Sequence, residues 1–191
     1  MHLYLIRHAQ SYVNLPDWAE GNTDAALTDL GREQAEALAR KFSQEVTSVD
    51  ALYASDMMRA KETAKTLAEP YGLSPIFDSH LREVGNNRRD HTPYPVNDLP
   101  KRYAEFWGSS RPFSALMPDA EAGESWMRVG QFLETLVERH YRTSDEKPEG
   151  DTVIVVCHGG VIEAASSRRR SATSSISDIG NTARCGRITP G

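Results

Sequence analysis

Two histidines of this 191-residue chain each follow a short apolar run that is typical of a buried strand. His8 stands two residues after "HLYLI", and His158 comes directly after "TVIVVC". A single histidine in such a place is more often a hydrogen-bonded structural residue than a catalyst. The carboxyl ends of parallel strands, however, meet at one edge of an open α/β sheet, where ligands bind. The repeated pattern therefore predicts that both imidazoles lie together at a ligand-binding edge.

Arginines and glycines near the two histidines indicate that the ligand is an anion. Arg7 adjoins the first histidine, and Arg59 falls in the first turn of the helix predicted after the strand-like run "ALYA". Guanidinium groups and the positive end of a helix suit a phosphoryl group. Gly159 and Gly160 follow the second histidine, where they let backbone N–H groups approach a ligand at the start of the next helix. These residue types together predict a phosphate pocket.

Strand-like runs alternate with helical patterns, and these elements must position the pocket. The strand-like runs are "HLYLI" (2–6), "ALYA" (51–54), "PIFD" (75–78) and "TVIVVC" (152–157). The helical patterns are "TDLGREQAEALARKF" (28–42), "SDMMRAKETAKTLAEPYG" (55–72) and "ESWMRVGQFLETLVERHY" (124–141). Strands joined by helices of this length form a mostly parallel sheet with helices on both faces. The predicted fold class is therefore α/β, a three-layer α/β/α sandwich.

Helix ends and buried faces also follow from residue types and spacing. Thr28 and Ser55 are the types that cap helix N-termini. In the first helix, the i, i+4 spacing predicts a buried face with Leu30, Gln34, Leu38 and Phe42. In the third, the predicted apolar stripe consists of Val129, Phe132, Leu133, Leu136 and Val137.

Composition limits the classes of protein to which the chain can belong. It has 39% hydrophobic and 26% charged residues, as soluble globular domains do, and its net charge of −5 predicts no nucleic-acid partner. It has no apolar stretch long enough for a membrane span and no leader-like start, which predicts no membrane partner. Two cysteines are too few for a disulfide framework, so we expect a cytoplasmic protein.

The chain divides at residue 165 into one domain and a short end segment. Residues 1–165 predict a single domain, while residues 166–191 are rich in serine and arginine and resemble a solvated tail. The segment "NTARCGRI" within this tail could still form a last strand, and the sequence leaves both alternatives open. Residues 85–120 contain five prolines and predict a loop-rich excursion with one short helix near "PKRYAEFWG".

Five motifs together resemble the histidine phosphatase, or phosphoglycerate mutase-like, superfamily. They are "LIRHAQS", "LTDLGREQA", "LYASDMMRAKETA", "LREVG" and "VIVVCHGGVI", and they cover residues 1–165 in the order and spacing of that family. The resemblance implies that His8 is a nucleophile that forms a phosphohistidine. It also implies that Arg7, Arg59 and His158 form the phosphate pocket and that Glu83 gives a proton to the leaving oxygen.

The implied chemistry requires an uncharged imidazole at His8. Neighbouring cations disfavour imidazolium, and a backbone carbonyl is expected to accept from Nδ1, which leaves Nε2 for attack on phosphorus. Arg7, Arg59 and a protonated His158 are expected to stabilise the phosphoryl oxygens, so that neither a metal nor a cofactor is needed. Substrate-binding candidates in the neighbouring loops are Gln10, Ser11, Asn14, Arg59 and Gly159.

The segment after Glu83, "NNRRDHTPYP", differs from the aromatic and acidic segment that is usual in the family. Its residues Arg88, Arg89 and His91 add positive charge, from which we expect a substrate with a second anionic group.

Three other mechanisms have less support. A tyrosine-phosphatase loop needs an arginine six residues after its cysteine, and the residue six beyond Cys157 is Glu163. A zinc site would place a cation beside arginines, and the sequence has no close pair of ligands. The glycines do not form the P-loop pattern that binds nucleotides.

The predicted activity is hydrolysis of a small phosphate monoester, with a small phosphorylated metabolite as partner. The first alternative is a mutase that moves phosphate between hydroxyls of a phosphoglycerate-like substrate. A non-catalytic module that binds a phosphorylated ligand or another protein is the second. The sequence does not specify the natural substrate, and it allows a homo-oligomer without requiring one.

Overall fold

Strands and helices alternate along the fold, which a computed structural model describes for residues 1–18, 24–83, 120–141, 147–148, 150–167, 178–179 and 185–188. The strands are β1 (His2–Arg7), β2 (Ala51–Ser55), β3 (Ile76–Asp78), β4 (Thr152–Cys157), β5 (Asp178–Ile179) and β6 (Cys185–Ile188). The helices are α1 (Asp29–Glu45), α2 (Met58–Ala68), α3 (Ala120–His140) and α4 (Gly159–Ser167). Short 3-10 helices cover Tyr12–Asn14, Glu69–Tyr71 and Ser79–Leu81.

The described strands form one sheet in the order β3-β2-β4-β1-β6-β5. β4 pairs in parallel with both β1 and β2, and β2 pairs in parallel with β3. β6 runs antiparallel to β1, and β5 antiparallel to β6. The predicted mostly parallel sheet is confirmed. β6 lies within "NTARCGRI", and because most of residues 166–191 lies outside the described ranges, the division at residue 165 stays a prediction.

Both faces of the sheet are covered by helices, because side chains alternate between the two sides along each strand. Leu3 and Leu5 of β1 pack on the side of α3 and α4, and Tyr4 and Ile6 pack on the side of α1 and α2. The central strand β4 is buried almost throughout, as its uninterrupted apolar sequence predicts. The three-layer α/β/α sandwich is therefore confirmed.

The buried face of α1 differs from the predicted one. Thr28 caps this helix as expected, since its side chain accepts from the Gly31 amide, but Leu30 is 50% exposed. The buried residues of α1 are Gly31, Ala35, Ala39 and Phe42. The helix buries a different face from the predicted one because its first turn lies directly against the backbone of Gln10. Only a glycine, Gly31, fits at that contact. In α3 the stripe is buried as predicted at Val129, Phe132 and Leu136, whereas Val137 is 45% exposed.

The helix predicted from Ser55 begins three residues later, at Met58. Ser55 is the last residue of β2, so its assignment as a helix cap is wrong. Instead the amide of Met58 donates to Oδ1 of Asp24 at 2.5 Å. A cap from a distant loop cannot be read from local sequence.

Two further expectations concern other parts of the chain. None of the helices in the described ranges is long and apolar enough to cross a membrane. The proline-rich excursion lies outside the described residues except for residue 120, at which α3 begins. The short helix expected near "PKRYAEFWG" lies outside them entirely.

Gly31→Ala should destabilise the protein and reduce its activity. An added Cβ would stand 1.9 Å from the carbonyl oxygen of Gln10, which cannot move without displacing the loop that follows His8. Overpacking of this kind costs about 1–3 kcal/mol of the free energy of unfolding. Urea denaturation and turnover of an aryl phosphate measure both effects.

Gly72→Ala is the matched control, because its strain is remote from that loop. Gly72 has φ of +62° and open space around its Cβ position, so alanine is expected to lower stability and leave turnover per folded molecule unchanged. Equal loss of turnover in both variants would contradict the close-packing explanation.

Candidate active site

The main chain brings His8 to the carboxyl edge of the sheet. In the parallel pairing of β1 with β4, Arg7 lies opposite Cys157, and the amide of His8 donates to the carbonyl of Cys157 at 2.9 Å. His158 follows in the neighbouring strand, so the two imidazole rings lie 5.1 Å apart between centroids. The predicted meeting of the two histidines is confirmed.

Hydrogen bonds at both ring nitrogens define the protonation of the His8 side chain. Nδ1 lies 2.7 Å from the carbonyl oxygen of Ala9, and the Nε–H of Arg59 donates to Nε2 at 3.2 Å. A guanidinium group can only donate, so Nε2 must be the acceptor and Nδ1 must carry the proton. The lone pair that a nucleophile needs is therefore on Nε2.

Burial and charge keep this imidazole neutral. Burial lowers the pKa of His8 most, the positive charges of Arg59 and Arg7 lower it further, and the Ala9 carbonyl opposes them. The resulting pKa is about 3, against 6.5 for an ordinary histidine. The ring is thus uncharged at neutral pH, as the expected chemistry requires.

Two guanidinium groups flank the rings, one buried and one exposed. Arg59 is the second residue of α2 and is almost wholly buried, whereas Arg7 is exposed. Burial lowers the pKa of Arg59, and the charges of Glu83 and Asp24 oppose that shift. The guanidine of Arg7 lies about 4.0 Å from the position that a Cβ on Gly159 would occupy, so Arg7 lies beside the start of α4.

His158 is completely buried, and its surroundings determine its charge in the ligand-free site. Its Nε2 lies 2.9 Å from Oγ of Ser55, and within the described residues its buried Nδ1 has no hydrogen-bond partner. Burial, followed by the nearby Arg59, His8, Arg7 and Arg128, holds its pKa well below the ordinary value. His158 is therefore neutral in the ligand-free site, because an isolated buried cation is unfavourable beside other cations. Its protonation during phosphoryl transfer stays a prediction.

Glu83 reaches the same edge from the loop after β3. Its Oε1 accepts from the amide of Gly160 at 3.0 Å, so the carboxyl group lies at the N-terminus of α4. It is also close enough to Arg59 for its negative charge to oppose the lowering of that guanidinium's pKa by burial. The structure thus brings together all five residues predicted for the reaction, while their individual roles stay predictions.

An ion pair that the sequence did not indicate holds the loop of Glu83. Nε of Arg82 donates to Oδ1 of Asp56 at 2.5 Å, and Nη2 of Arg82 donates to Oδ2. Burial raises the pKa of Asp56, but the bonds and charge of Arg82 outweigh it and the net pKa lies below the ordinary value. Nη1 of Arg128 on α3 donates to two carbonyls of the same loop, those of Ser79 and His80.

Three of the binding candidates make hydrogen bonds to their own neighbourhood. Oε1 of Gln10 accepts from the hydroxyl of Thr28 at 2.7 Å, and the amide and hydroxyl of Ser11 both donate to Oδ1 of Asn14 at 3.0 Å. The bonds from Ser11 to Asn14 are turn and capping bonds that such side chains ordinarily form, whereas the bond from Thr28 joins Gln10 to the N-cap of α1. Their contact with substrate stays a prediction, and Arg88, Arg89 and His91 lie outside the described residues.

Two buried hydroxyl groups complete the site and were missed from the sequence. Ser55 contacts His158, and Thr63 contacts the backbone of Ala9 and of Arg59. The only signal for Thr63 was its position four residues after Arg59, on the same face of α2. Ser55 lay at the end of a strand-like run, and its capping residue type suggested a different role.

The cysteine beside His158 is unsuited to nucleophilic chemistry. The Cys157 thiol is fully buried, and burial, followed by the charge of Glu83, raises its pKa, which makes the thiolate inaccessible. Within the described ranges there is no group of three or more His, Cys, Asp or Glu side chains that could hold a metal ion.

The arrangement can transfer a doubly charged group such as phosphoryl. It combines an uncharged nucleophilic nitrogen, two guanidinium cations, a buried imidazole and a carboxyl group that can exchange a proton.

Comparison with known proteins agrees with this chemistry. Phosphoglycerate mutase-like protein 4 of Arabidopsis thaliana is 30% identical over 94% of this chain and 76% of its own length. Metal-independent phosphoserine phosphatase of the same plant is 28% identical over 90% of this chain and 70% of its own. The solved structure of a mycobacterial glucosyl-3-phosphoglycerate phosphatase with inorganic phosphate is 26% identical, with a TM-score of 0.61 over 90% of this chain and 80% of the other.

The sequence pattern of one family covers nearly the whole chain, residues 3–176. That span includes both histidines, both arginines and the glutamate that the fold gathers at one sheet edge. The chain belongs to the histidine phosphatase superfamily, branch 1.

Proposed function

We propose that the chain is a phosphatase that hydrolyses a small phosphate monoester through a phosphohistidine on His8. One observation carries the proposal: Nε2 of His8 is an unprotonated acceptor at 3.2 Å from a guanidinium that can bind the group to be attacked. The family and the relatives named as phosphatases support the same reaction.

In the first step the lone pair of Nε2 forms a bond to phosphorus while the bond from phosphorus to the ester oxygen breaks. Glu83 enters this step in its protonated form, gives its proton to that oxygen, and the alcohol leaves. Arg7 and Arg59 stabilise the negative charge on the three remaining oxygens. The hydrogen bond from Nδ1 to the carbonyl of Ala9 disperses the positive charge that develops on the ring.

In the second step a water molecule attacks phosphorus and the bond from phosphorus to Nε2 breaks. Glu83, now ionised, takes a proton from the water, so inorganic phosphate leaves and the free enzyme is restored. His158 starts neutral and gains affinity for a proton when a negatively charged phosphoryl group lies beside it. Its Nδ1 can then donate to a phosphoryl oxygen.

The substrate class that we propose is a small phosphorylated acid. Relatives are named for phosphoserine and for glucosyl-3-phosphoglycerate, and both molecules carry a carboxylate besides the phosphate. A second anionic group is also what the positive charges of Arg88, Arg89 and His91 favour. We further propose a cytoplasmic location and leave a homo-oligomer as an open prediction.

A mutase is the second candidate, because one relative is named phosphoglycerate mutase-like protein 4. It uses the same first step but returns the phosphoryl group to another hydroxyl instead of to water. The product separates the two, since a mutase yields an isomer and a phosphatase yields free phosphate.

Replacing His8 by alanine should abolish turnover of phosphate esters, by at least about 1,000-fold in kcat, because no other group takes the place of the nucleophile. Rapid acid-free quenching with a 32P-labelled ester should trap label on position 8 of the unaltered protein. His2→Ala, at the other end of β1, is the control and should keep full activity. Label that persists in His8→Ala would refute the proposed intermediate.

Glu83→Gln tests the proton donor. Glutamine retains an oxygen that accepts from Gly160 but cannot give a proton, so kcat for an alkyl phosphate should fall by about 100-fold or more. An aryl phosphate needs less help from an acid, because its oxygen leaves readily as an anion, and should lose much less. Equal losses on both esters would argue for a positioning role instead.

The depressed pKa of His8 predicts acid sensitivity of the fold. The unfolded histidine binds a proton near pH 6.5, whereas the folded one does so only near pH 3, so the unfolded state holds more protons between these values. The contribution of His8 to the free energy of unfolding is fully present above pH 6.5. It falls as the pH is lowered, by up to about 1.4 kcal/mol per pH unit. Urea denaturation between pH 8 and pH 5 should show a shallower loss for His8→Ala than for the unaltered protein. Parallel curves would contradict this assignment.

A further inference from the structure

Thr63 belongs to a closed cycle of hydrogen bonds that also includes His8, the proposed nucleophile. The residue is one turn after Arg59 in α2, and its side chain is almost fully buried. Its Oγ1 accepts from the amide of Ala9 at 3.1 Å and donates to the carbonyl of Arg59 at 2.8 Å. Ala9 and Arg59 are the two residues that bind the ring nitrogens of His8.

The direction of each bond in this cycle is determined by chemistry. The amide of Ala9 can only donate, so the hydroxyl oxygen must accept, and the single hydroxyl proton goes to the carbonyl of Arg59. The Ala9 carbonyl can only accept, which places the His8 proton on Nδ1. Every bond therefore favours the one tautomer that can act as a nucleophile at Nε2.

The peptide on the other side of Ala9 is also held by a side chain. The amide of Gln10, in the same rigid peptide plane as the Ala9 carbonyl, donates to Oε1 of Gln34 at 3.0 Å. Ala9 is thus held by α2 through Thr63 and by α1 through Gln34. The carbonyl that faces Nδ1 has little freedom to turn away.

We propose that Thr63 is a positioning residue for phosphoryl transfer: its hydroxyl holds Ala9 and Arg59 so that His8 keeps Nδ1 protonated and Nε2 ready to attack. This inference rests on the proposed function of His8. In this proposal Thr63 orients the nucleophile without touching the substrate. Binding of the phosphate is left to the arginines. Misplacement of a reacting group by about 1 Å costs on the order of 100-fold in rate.

The test compares Thr63→Val, which keeps the side-chain shape, with Thr63→Ser, which keeps the hydroxyl. Thr66→Val is the matched control, because Thr66 lies on the same helix and its hydroxyl also donates to a carbonyl four residues back, that of Glu62. We expect kcat to fall about 10- to 100-fold in Thr63→Val with KM changed less than about threefold. Thr63→Ser should recover most of the rate, and Thr66→Val should equal the unaltered protein.

Long-range proton–nitrogen NMR of the ligand-free protein supplies a readout that needs no turnover. In Thr63→Val the His8 ring should show a mixture of tautomers in place of protonation at Nδ1 alone. An unchanged tautomer and rate, or equal losses in Thr63→Ser and Thr63→Val, would overturn the inference. If Thr63→Val does not fold, Gln34→Met removes the other support of Ala9 and should shift the tautomer in the same way; an unchanged ring would then count against it.

The two proposals fail in different ways. Activity that survives in His8→Ala would refute the proposed function whatever the tautomer shows. If Thr63→Val leaves both the rate and the His8 tautomer unchanged while His8→Ala is inactive, only the positioning role is refuted.

Discussion

The site depends on one constraint: the imidazole of His8 is buried between a carbonyl that accepts from Nδ1 and a guanidinium that donates to Nε2. Protonation of the ring would place a buried cation beside the buried Arg59 and near Arg7. The ring therefore stays neutral, and its lone pair is directed toward a group that binds anions. The proposed nucleophile and the proposed phosphate pocket both depend on this contact.

Parallel strands make this contact possible. β4 lies between β1 and β2, so residues that end the three strands come to one edge although they are far apart in sequence. His8, Ser55 and His158 meet in this way. The two apolar layers on either side of the sheet keep the strands in register, so core packing and site geometry are mechanically connected.

Charge balance around the pocket is provided by residues outside the predicted reaction. Asp24 caps α2, and Asp56 pairs with Arg82 beside Glu83. These carboxylates offset the cost of gathering arginines at one sheet edge without removing the positive charge that faces the nucleophile. A chain with a net charge of −5 can thus contain a locally cationic site.

Sequence alone determined the architecture and the principal site residues, because alternating strand and helix periods limit the topology and because two histidines followed strands of one sheet. The resemblance to a family supplied the predicted role of Glu83, a residue whose own neighbourhood in the sequence looks like a solvated loop. Tertiary structure decided the buried face of α1, the real start of α2, the uncharged state of His158 in the ligand-free site and the position of Thr63. Each of these depends on which distant atoms share a buried space, and burial and hydrogen-bond partners are properties of the folded packing that no local spacing encodes.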